Sequence, residues 1–590
     1  MNRNETKPPV ELTIDDQKIH VPAGTTIMEA AETLGIHIPR LCYHPDLSQM
    51  GSCRVCIVDV KGMGHYMASC SVQVWAGMEV QTNSPQIRQA RRDIVELLLE
   101  NHPMDCQCCE RDGNCELQRL AYTLGVRERR FAGERKRFAK DTSGLSVIRD
   151  SERCILCGRC TRVCAEVQGV YNLSQHGRGF HTVVTPAFGA AMDDSVCIQC
   201  GQCINVCPVA AFLEKDHTRR VWKALDDERL HVVVQVAPSI RAAIAEGFGH
   251  PPGTPATGRT VTALRRLGFH AVFDTDFGAD LTILEESHEF LKRLEAGGPL
   301  PIITSCSPGW INYLEKFYPD LIPLASTCRS PMSMTSALAK TYYARKMGID
   351  PGRIFMVAIM PCVAKKYESD RPEHRAADGA PYTDAVLTTR ELIWMIKSYG
   401  IEFDRLPEGE FDAPLGIATG AGDIFGTTGG VMEATLRTAA EKLAGGPVGQ
   451  LEFHEVRAVT GLKEALFELG EHTVRVGVAN GLVNARTLLD KVARGEKQFH
   501  IIEIMACPGG CIGGGGQPYP VTGHLVLDPD LLARRAQALY GIDQGKALRR
   551  SHENPAVAEL YREFLGEPGS PLAHELLHTH YTPKEPRGVR

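Results

Sequence analysis

The chain has 590 residues, 43% of them hydrophobic and 23% charged, with a formal net charge of −6. That length exceeds one hydrophobic core, so several domains are expected, and the composition is that of a soluble globular protein. The slight acidic excess gives no basis for a nucleic-acid partner. No apolar run approaches the roughly 18 residues of a membrane span, and the N-terminal MNRNETKPPVELTIDDQ has no signal-peptide core. A cytoplasmic protein is expected, unless a partner subunit carries a signal. Of 21 cysteines, 16 lie in residues 1–207 and five in the rest. A large chain without a secretion signal seldom uses them as disulfides, so metal binding is expected.

In chain order, Val10–Ile14 and Ile19–Val21 alternate like a hairpin, and Thr26–Leu34 reads as a helix. Cys42, Cys53, Cys56 and Cys70 follow, spaced C-x10-C-x2-C-x13-C. This suits a [2Fe–2S] cluster on a β-grasp ferredoxin domain (1–80), with a four-thiolate zinc site as the alternative. Residues 81–140 carry His102, Cys106, Cys109 and Cys115 as H-x3-C-x2-C-x5-C. Cys108 is spare, and spacing leaves a swap with Cys109 open. The basic run at 127–140 reads as a solvated surface; docking of an acidic electron carrier is the sharper alternative. In residues 145–217, Cys154, Cys157, Cys160 and Cys164 precede Cys197, Cys200, Cys203 and Cys207, both runs spaced C-x2-C-x2-C-x3-C. In this two-cluster pattern the fourth cysteine of each run ligates the other cluster. Cys207 therefore joins Cys154, Cys157 and Cys160, and Cys164 joins Cys197, Cys200 and Cys203.

From about residue 225 the cysteines thin out. A buried strand, 231–236, ends at Ala237-Pro238-Ser239. Val261–Leu267, Ala271–Phe273, Leu281–Leu294 and Ile302–Thr304 continue an alternation of strands and helices that implies a parallel sheet. The segments 354–359, 415–418, 474–479 and 499–505 extend it. Three apolar runs stop at cysteines: Pro301–Ile303 before TSCSPGW, Ile354–Ile359 before MPCVAKKYE, and Phe499–Met505 within EIMACPGGCIGGGGQP. The carboxyl edge of an α/β sheet is where ligands bind, and glycine lets backbone approach a bulky group. One iron–sulfur site between these loops is expected.

The three motifs resemble the signature loops of the [FeFe]-hydrogenases, TSCCPxW, MPCxxKxxE and ExMACxxGCxxGGGxP, in order. The second and third match without exception; in the first, Ser307 stands where the family has its second cysteine. The resemblance extends to the N-terminal cysteines, since a [4Fe–4S] module with one His and three Cys ligands occurs in hydrogenases and in complex I. It reaches the C-terminal LLHTHYTPKEP as well. It implies a multidomain α+β and α/β chain with a catalytic domain at 225–525 and a helical, small-subunit-like segment at 526–590. The implied cofactors are one [2Fe–2S] cluster, three accessory [4Fe–4S] clusters and an H-cluster. That group is a cubane linked to a two-iron unit bearing CO, CN⁻ and a dithiolate. The implied reaction is 2H⁺ + 2e⁻ ⇌ H₂. By position, Cys362, Cys507 and Cys511 ligate the cubane, and Cys511 also bridges. Lys365 and Ser239 are implied cyanide donors, and Pro238, Met360 and Met505 pack around the two-iron unit. The proton relay corresponds to Cys306, Glu286, Ser326, Glu289 and Arg293. Glu286, Glu289 and Arg293 share one helix face.

The fourth cubane ligand stays open between Cys306 and Ser307, because a hard alkoxide suits iron–sulfur chemistry less than a thiolate. Cys328 reads as a buried inert thiol. Two further functions compete: an electron-wiring subunit without catalysis, and a sensory or assembly protein. MPCVAKKYE and EIMACPGGCIGGGG argue against the wire. The expected electron partner is a ferredoxin, or NAD(P)H-oxidising flavin and iron–sulfur subunits such as a bifurcating complex contains; this chain has no G-x-G-x-x-G after a strand. The two-iron unit would come from dedicated maturation proteins.

Overall fold

The computed structural model describes all residues except 1–7, 132, 445–450, 458–460, 470–471, 497, 521–524 and 586–590. The ends of the expected N- and C-terminal segments thus lie outside the described residues. The first sheet comprises β1 (Pro9–Ile14), β2 (Gln17–Pro22), β3 (Ile57–Val60), β4 (Met67–Ala68) and β5 (Met78–Gln81), in the order β2-β1-β5-β3-β4. β1 and β2 form the expected antiparallel hairpin. The helix Ile27–Thr33 opens with a capping box, in which Thr26 and Glu29 satisfy each other's backbone N–H groups.

The next cysteine-rich region is built on two short antiparallel pairs. β6 (Val147–Arg149) pairs with β9 (Phe212–Glu214), and β7 (Ser174–His176) with β8 (Val183–Thr185). Closing residue 147 onto residue 214 brings the two cysteine runs face to face.

The half of the chain after residue 225 holds two four-stranded sheets, which corrects the single parallel sheet expected. One has β10 (His231–Val236), β11 (Ala271–Asp274), β13 (Ile354–Met360) and β14 (Ala385–Thr388), all parallel, in the order β11-β10-β13-β14. The other has β12 (Ile302–Ile303), β15 (Leu462–Leu469), β16 (His472–Asn480) and β17 (Ile501–Met505), in the order β12-β17-β16-β15. β15 is an antiparallel edge strand on β16. Its sequence, LKEALFEL, has helical propensity, and pairing along β16 overrides it. Residues 415–418, expected as a strand, form no strand. Pro414 and Gly416 interrupt the run, and only the Leu415 carbonyl reaches the sheet edge, accepting from Asp274 N–H at 3.2 Å.

The helix Thr275–Ala296 is buried on every side from Thr275 to Ser287, the mark of an interior helix. Its N-terminus is tied to the loop after β10 by a buried cation. Arg241 meets Asp274 at 2.7 Å, Asp423 at 2.6 Å and Asp276 at 3.2 Å, and Lys546 adds a second positive charge on Asp423 at 2.6 Å. Burial holds Asp276 well above the ordinary carboxyl range, opposed by Arg241. Among the described residues no helix is long and apolar enough to cross a membrane.

Removing one partner of a buried ionic cluster strands the others without compensation. Arg241→Met is therefore expected to destabilise the fold by about 3–5 kcal/mol, read as a lower urea midpoint at unchanged m-value.

Candidate iron–sulfur and catalytic site

The N-terminal thiols converge as the spacing implied. Cys42, Cys53, Cys56 and Cys70 are all buried. Hydrogen bonds from Cys53 and Cys70 pull Cys42 below the ordinary thiol range, favouring the thiolate that binds metal. In the second module His102 is buried, and burial lowers its pKa to about 4. Its Nδ1 has no hydrogen-bond partner, so a neutral imidazole nitrogen is free to ligate. Cys109 and Cys115 interact electrostatically, and Cys108 is exposed. The basic run is largely neutralised from within: Arg129 pairs with Glu100, Arg130 with Asp93 and Glu96, and Lys140 with Glu110.

The eight cysteines of the third region line two cavities. Cys154, Cys157, Cys160 and Cys207 surround one; Cys164, Cys197, Cys200 and Cys203 surround the other. The two loops repeat one backbone device. Leu156 and Gln199 take left-handed φ values of 55° and 60°, which turns their N–H groups onto Cys154 Sγ and Cys197 Sγ, each at 3.4 Å.

This second quartet abuts the catalytic loop. A Cβ on Gly515 would fall 2.6 Å from Cys200 O and 3.0 Å from Gly201 Cα, so only glycine fits there. Gln202 and Asn205 donate to the carbonyls of Gly513 and Gly514 at 3.0 and 3.1 Å, and Gln168 donates to Ala506 O at 2.9 Å. Sequence reasoning missed these three amides, because their partners lie more than 300 residues away.

Four carboxyl strand ends, those of β10, β12, β13 and β17, deliver the expected site residues to one place. Cys507 interacts with Cys362 and Cys511, and burial lifts the Cys511 thiol to about 12. Lys365 Nζ donates to Cys306 O at 3.2 Å and pairs with Glu368 at 2.7 Å. Gln517 Nε2 ties Ser239 O to Cys511 O, each at 3.3 Å. Pro238, Met360 and Met505 are buried around this space. Ser239 Oγ is buried with no partner. The adjoining Cys306 and Ser307 face different surroundings. Cys306 packs in the apolar cluster of Ile283, Phe425 and Met505, where burial raises its thiol far above the usual range and Cys511 and Glu286 add to the shift. Ser307 Oγ accepts from Ala506 N–H at 3.3 Å, beside Cys507.

From the Cys306 side a polar line leads outward. Glu286 lies close enough to Ser326 for the hydroxyl to lower its pKa, and Ser326 Oγ donates to Glu289 Oε2 at 3.3 Å. Glu289 Oε1 is paired with Arg293, which also donates to Ala325 O at 3.0 Å. Glu286 Oε2 is buried without a partner. Cys328 is buried, as expected. Glu503, which was not singled out as a site residue, accepts from the N–H groups of Gly429 and Met432, each at 2.7 Å. A lone carboxylate in the apolar run of β17 was the available signal.

A multidomain fold with cysteine-rich modules ahead of a domain that gathers further buried cysteines at its strand ends defines an iron–sulfur oxidoreductase. Residues 230–515 match the iron only hydrogenase large subunit, C-terminal domain, and residues 529–584 the iron hydrogenase small subunit. Residues 7–85 match a 2Fe-2S iron-sulfur cluster binding domain. Residues 91–130 match the NADH-ubiquinone oxidoreductase-G iron-sulfur binding region, and 144–213 the ferredoxin-like domain of NADH-quinone oxidoreductase subunit 3. The chain is 49% identical to the NADP-reducing hydrogenase subunit HndD of Solidesulfovibrio fructosivorans, over 97% of this chain and 98% of that one. It is 40% identical to iron hydrogenase 1 of Clostridium pasteurianum, over 97% and 99%. A solved variant of the [FeFe]-hydrogenase HydA1 from Chlamydomonas reinhardtii superposes with TM-score 0.56 at 46% identity, covering 63% of this chain and all of that one. The chain belongs to the iron-only hydrogenases.

Burial lifts Glu286 from 4.5 to about 8, against the lowering effect of the Ser326 hydroxyl. Between those values the folded chain holds a proton that the unfolded chain has released. Glu286 thus lowers stability progressively as pH rises through that window. Glu286→Gln is expected to flatten the fall of Tm with pH there, measured by differential scanning calorimetry in buffers spanning that range.

Proposed function

We propose that this chain catalyses 2H⁺ + 2e⁻ ⇌ H₂ at an H-cluster, with electrons passing along the N-terminal clusters. The observation that carries this reading is the gathering of Cys362, Cys507 and Cys511, with an unpartnered Ser239 Oγ and a polar line from Glu286 to Arg293. The donor set fits the group. Soft thiolates suit iron, and an unpaired buried hydroxyl is costly unless something accepts its hydrogen bond. When bound, the cofactor supplies the redox metal at which protons and electrons combine. Around it, Lys365 and Ser239 donate hydrogen bonds, Pro238, Met360 and Met505 exclude water, and Glu286, Ser326, Glu289 and Arg293 carry protons.

The accessory clusters follow the same logic. Cys42, Cys53, Cys56 and Cys70 hold a [2Fe–2S] cluster on a β-grasp domain, residues 1–80. His102, Cys106, Cys109 and Cys115 hold a [4Fe–4S] cluster in 81–140; the exposure of Cys108 supports leaving it out. The two cavities in 145–217 take a [4Fe–4S] cluster each, and their lining supports the exchanged fourth cysteines. The catalytic domain spans 225–525 and the helical segment 526–590. The N-terminal matches and the NADP-reducing relative support nucleotide-handling partner subunits, with ferredoxin as an alternative donor, in the cytoplasm. Maturation proteins supply the two-iron unit.

Ser307 completes the cubane as an oxygen donor, and Cys306 serves the relay. The support is positional: Ser307 lies against the loop that bears Cys507, whereas Cys306, which also interacts with Cys511, packs against Met505 and is the one that faces Glu286.

After anaerobic purification with the maturation proteins, sharp infrared bands of metal-bound CO and CN⁻ that shift under H₂ are expected. A blank spectrum from protein with full iron–sulfur content would leave only the electron wire. Cys306→Ala should keep those bands and the iron content but lower turnover by about 10²–10⁴, the usual worth of a positioned proton donor. If Cys306→Ala loses the cubane instead, the two roles are exchanged.

A further inference from the structure

A second set of hydrogen bonds leaves Glu289, away from Arg293. Thr327 Oγ1 lies 3.1 Å from Glu289 Oε2 and 2.8 Å from His578 Nδ1. His578 Nε2 lies 3.1 Å from Glu285 Oε2. Glu285 is held in turn by Tyr561 OH and by Gly569 N–H, the latter at 2.8 Å. His578, Tyr561 and Gly569 all come from the C-terminal segment, and His578 is the first histidine of its LLHTHY sequence.

Counting hydrogens gives this chain a property that its geometry alone does not state. Three links join Glu289, Thr327, His578 and Glu285. The threonine hydroxyl brings one hydrogen and a neutral imidazole a second. With two hydrogens one link is a bare contact between acceptors, in a buried site where an unpaired polar group is costly. A third hydrogen satisfies every link, with His578 as an imidazolium between two carboxylates.

We propose that Thr327 and His578 form a proton-holding side branch on Glu289, a store beside the main relay. The proposal rests on the relay reading above. H₂ formation consumes two protons per turnover, whereas a single-file relay delivers one at a time. In the transfer step the His578 Nδ1 proton passes to Thr327 Oγ1 as the threonine hydroxyl proton passes to Glu289 Oε2. The imidazolium becomes a neutral imidazole that keeps its Nε2–H toward Glu285, and the Glu289 carboxylate becomes the acid. The reverse step restores both. His578 acts through Glu289 and is a positioning residue.

The groups that face His578 come from several elements. Glu285 and Glu289 belong to the helix Thr275–Ala296, and Cys328 lies within 4.8 Å of His578 and Glu289. Arg329 Nε donates to the His578 carbonyl at 2.8 Å, and His574 stacks on its ring with centroids 4.9 Å apart. Lys442 and Tyr561 act on it through Glu285.

The test uses the matured holoenzyme, with H₂ evolution from a reduced artificial donor measured against pH and in D₂O. Thr327→Val removes the hydroxyl but keeps the backbone N–H that Glu289 accepts at 3.0 Å; Thr327→Ser restores the hydroxyl. Thr327→Val and His578→Asn are each expected to slow turnover several-fold, most at alkaline pH, with a larger solvent isotope effect and unchanged CO and CN⁻ bands. Thr327→Ser should recover the wild-type pH profile. Should His578→Asn fail to fold, the two threonine variants still decide. Full turnover and an unchanged pH profile in Thr327→Val, alongside a slow Glu289→Gln, would overturn the branch and leave the relay standing. Full turnover in Glu289→Gln would overturn the relay and the branch with it.

Discussion

The contact between the glycine-rich loop and the second ferredoxin-type cysteine run governs what this molecule can do. At Gly515 the backbone approaches Cys200 and Gly201 so closely that a methyl group has no room. Gln202, Asn205 and Gln168 then tie the loop's carbonyls to the ferredoxin-type module. The consequence is electronic. The thiol of Cys200 interacts with that of Cys507, so the cysteines of the two regions meet across this contact. Glycine here trades conformational freedom for proximity. The hydrogen bonds that compensate are long-range and join the loop to the ferredoxin-type module.

Burial imposes the second constraint. Every thiol of the catalytic pocket is raised above its solution value, because a dry site disfavours unpaired negative charge. The same desolvation raises Glu286 to about 8 and Glu503 to about 7. A carboxyl with such a pKa can take up and release protons near neutral pH. For Glu503, two backbone N–H bonds oppose the shift and fix the carboxylate at the start of the helix Gly430–Ala444. Two buried carboxylates of similar pKa thus have different work. One lies on a polar line to solvent, and the other anchors the strand that carries Cys507 and Cys511. The Cys200 contact and the Glu286 line approach the thiols from different elements and share no residue.

Legibility in the sequence followed the range of the interaction. Cysteine spacing encodes local loop geometry, and the two C-x2-C-x2-C runs could be read because each loop closes on itself with two left-handed residues, Leu156 and Gly158 in one and Gln199 and Gly201 in the other. Strands that end at cysteines were readable as apolar runs. The partition of those strands into two sheets was not, because pairing partners such as β12 and β17 are some 200 residues apart. The residues of β15 have helical propensity and pair as a strand, an override that comes from the edge of β16. In EESHEFLKR, Glu286 and Glu289 could be placed on one face by periodicity. Glu285, four residues before Glu289, shares that residue's face, but its partners, Tyr561 and His578, are supplied by a segment nearly 300 residues later.

That C-terminal segment explains its own retention in the chain. It grips the site at two ends. Arg535 forms a buried pair with Glu246 and donates to Ile512 O, in the glycine-rich loop, at 2.7 Å. Leu532 fills the space beside Gly509 and Gly513. Further along, Tyr561 and His578 close on Glu285, and Thr579 N–H donates to Thr327 O at 2.7 Å. Buried ion pairs are weak sources of net stability, because desolvation offsets their attraction. Their value here is positional: one segment fixes the loop that bears Cys511 and the helix that bears Glu286 in a common frame. Relay spacing is set in tenths of an ångström, since Ser326 to Glu289 is already 3.3 Å. A wall that holds both elements at once is what keeps such a line continuous.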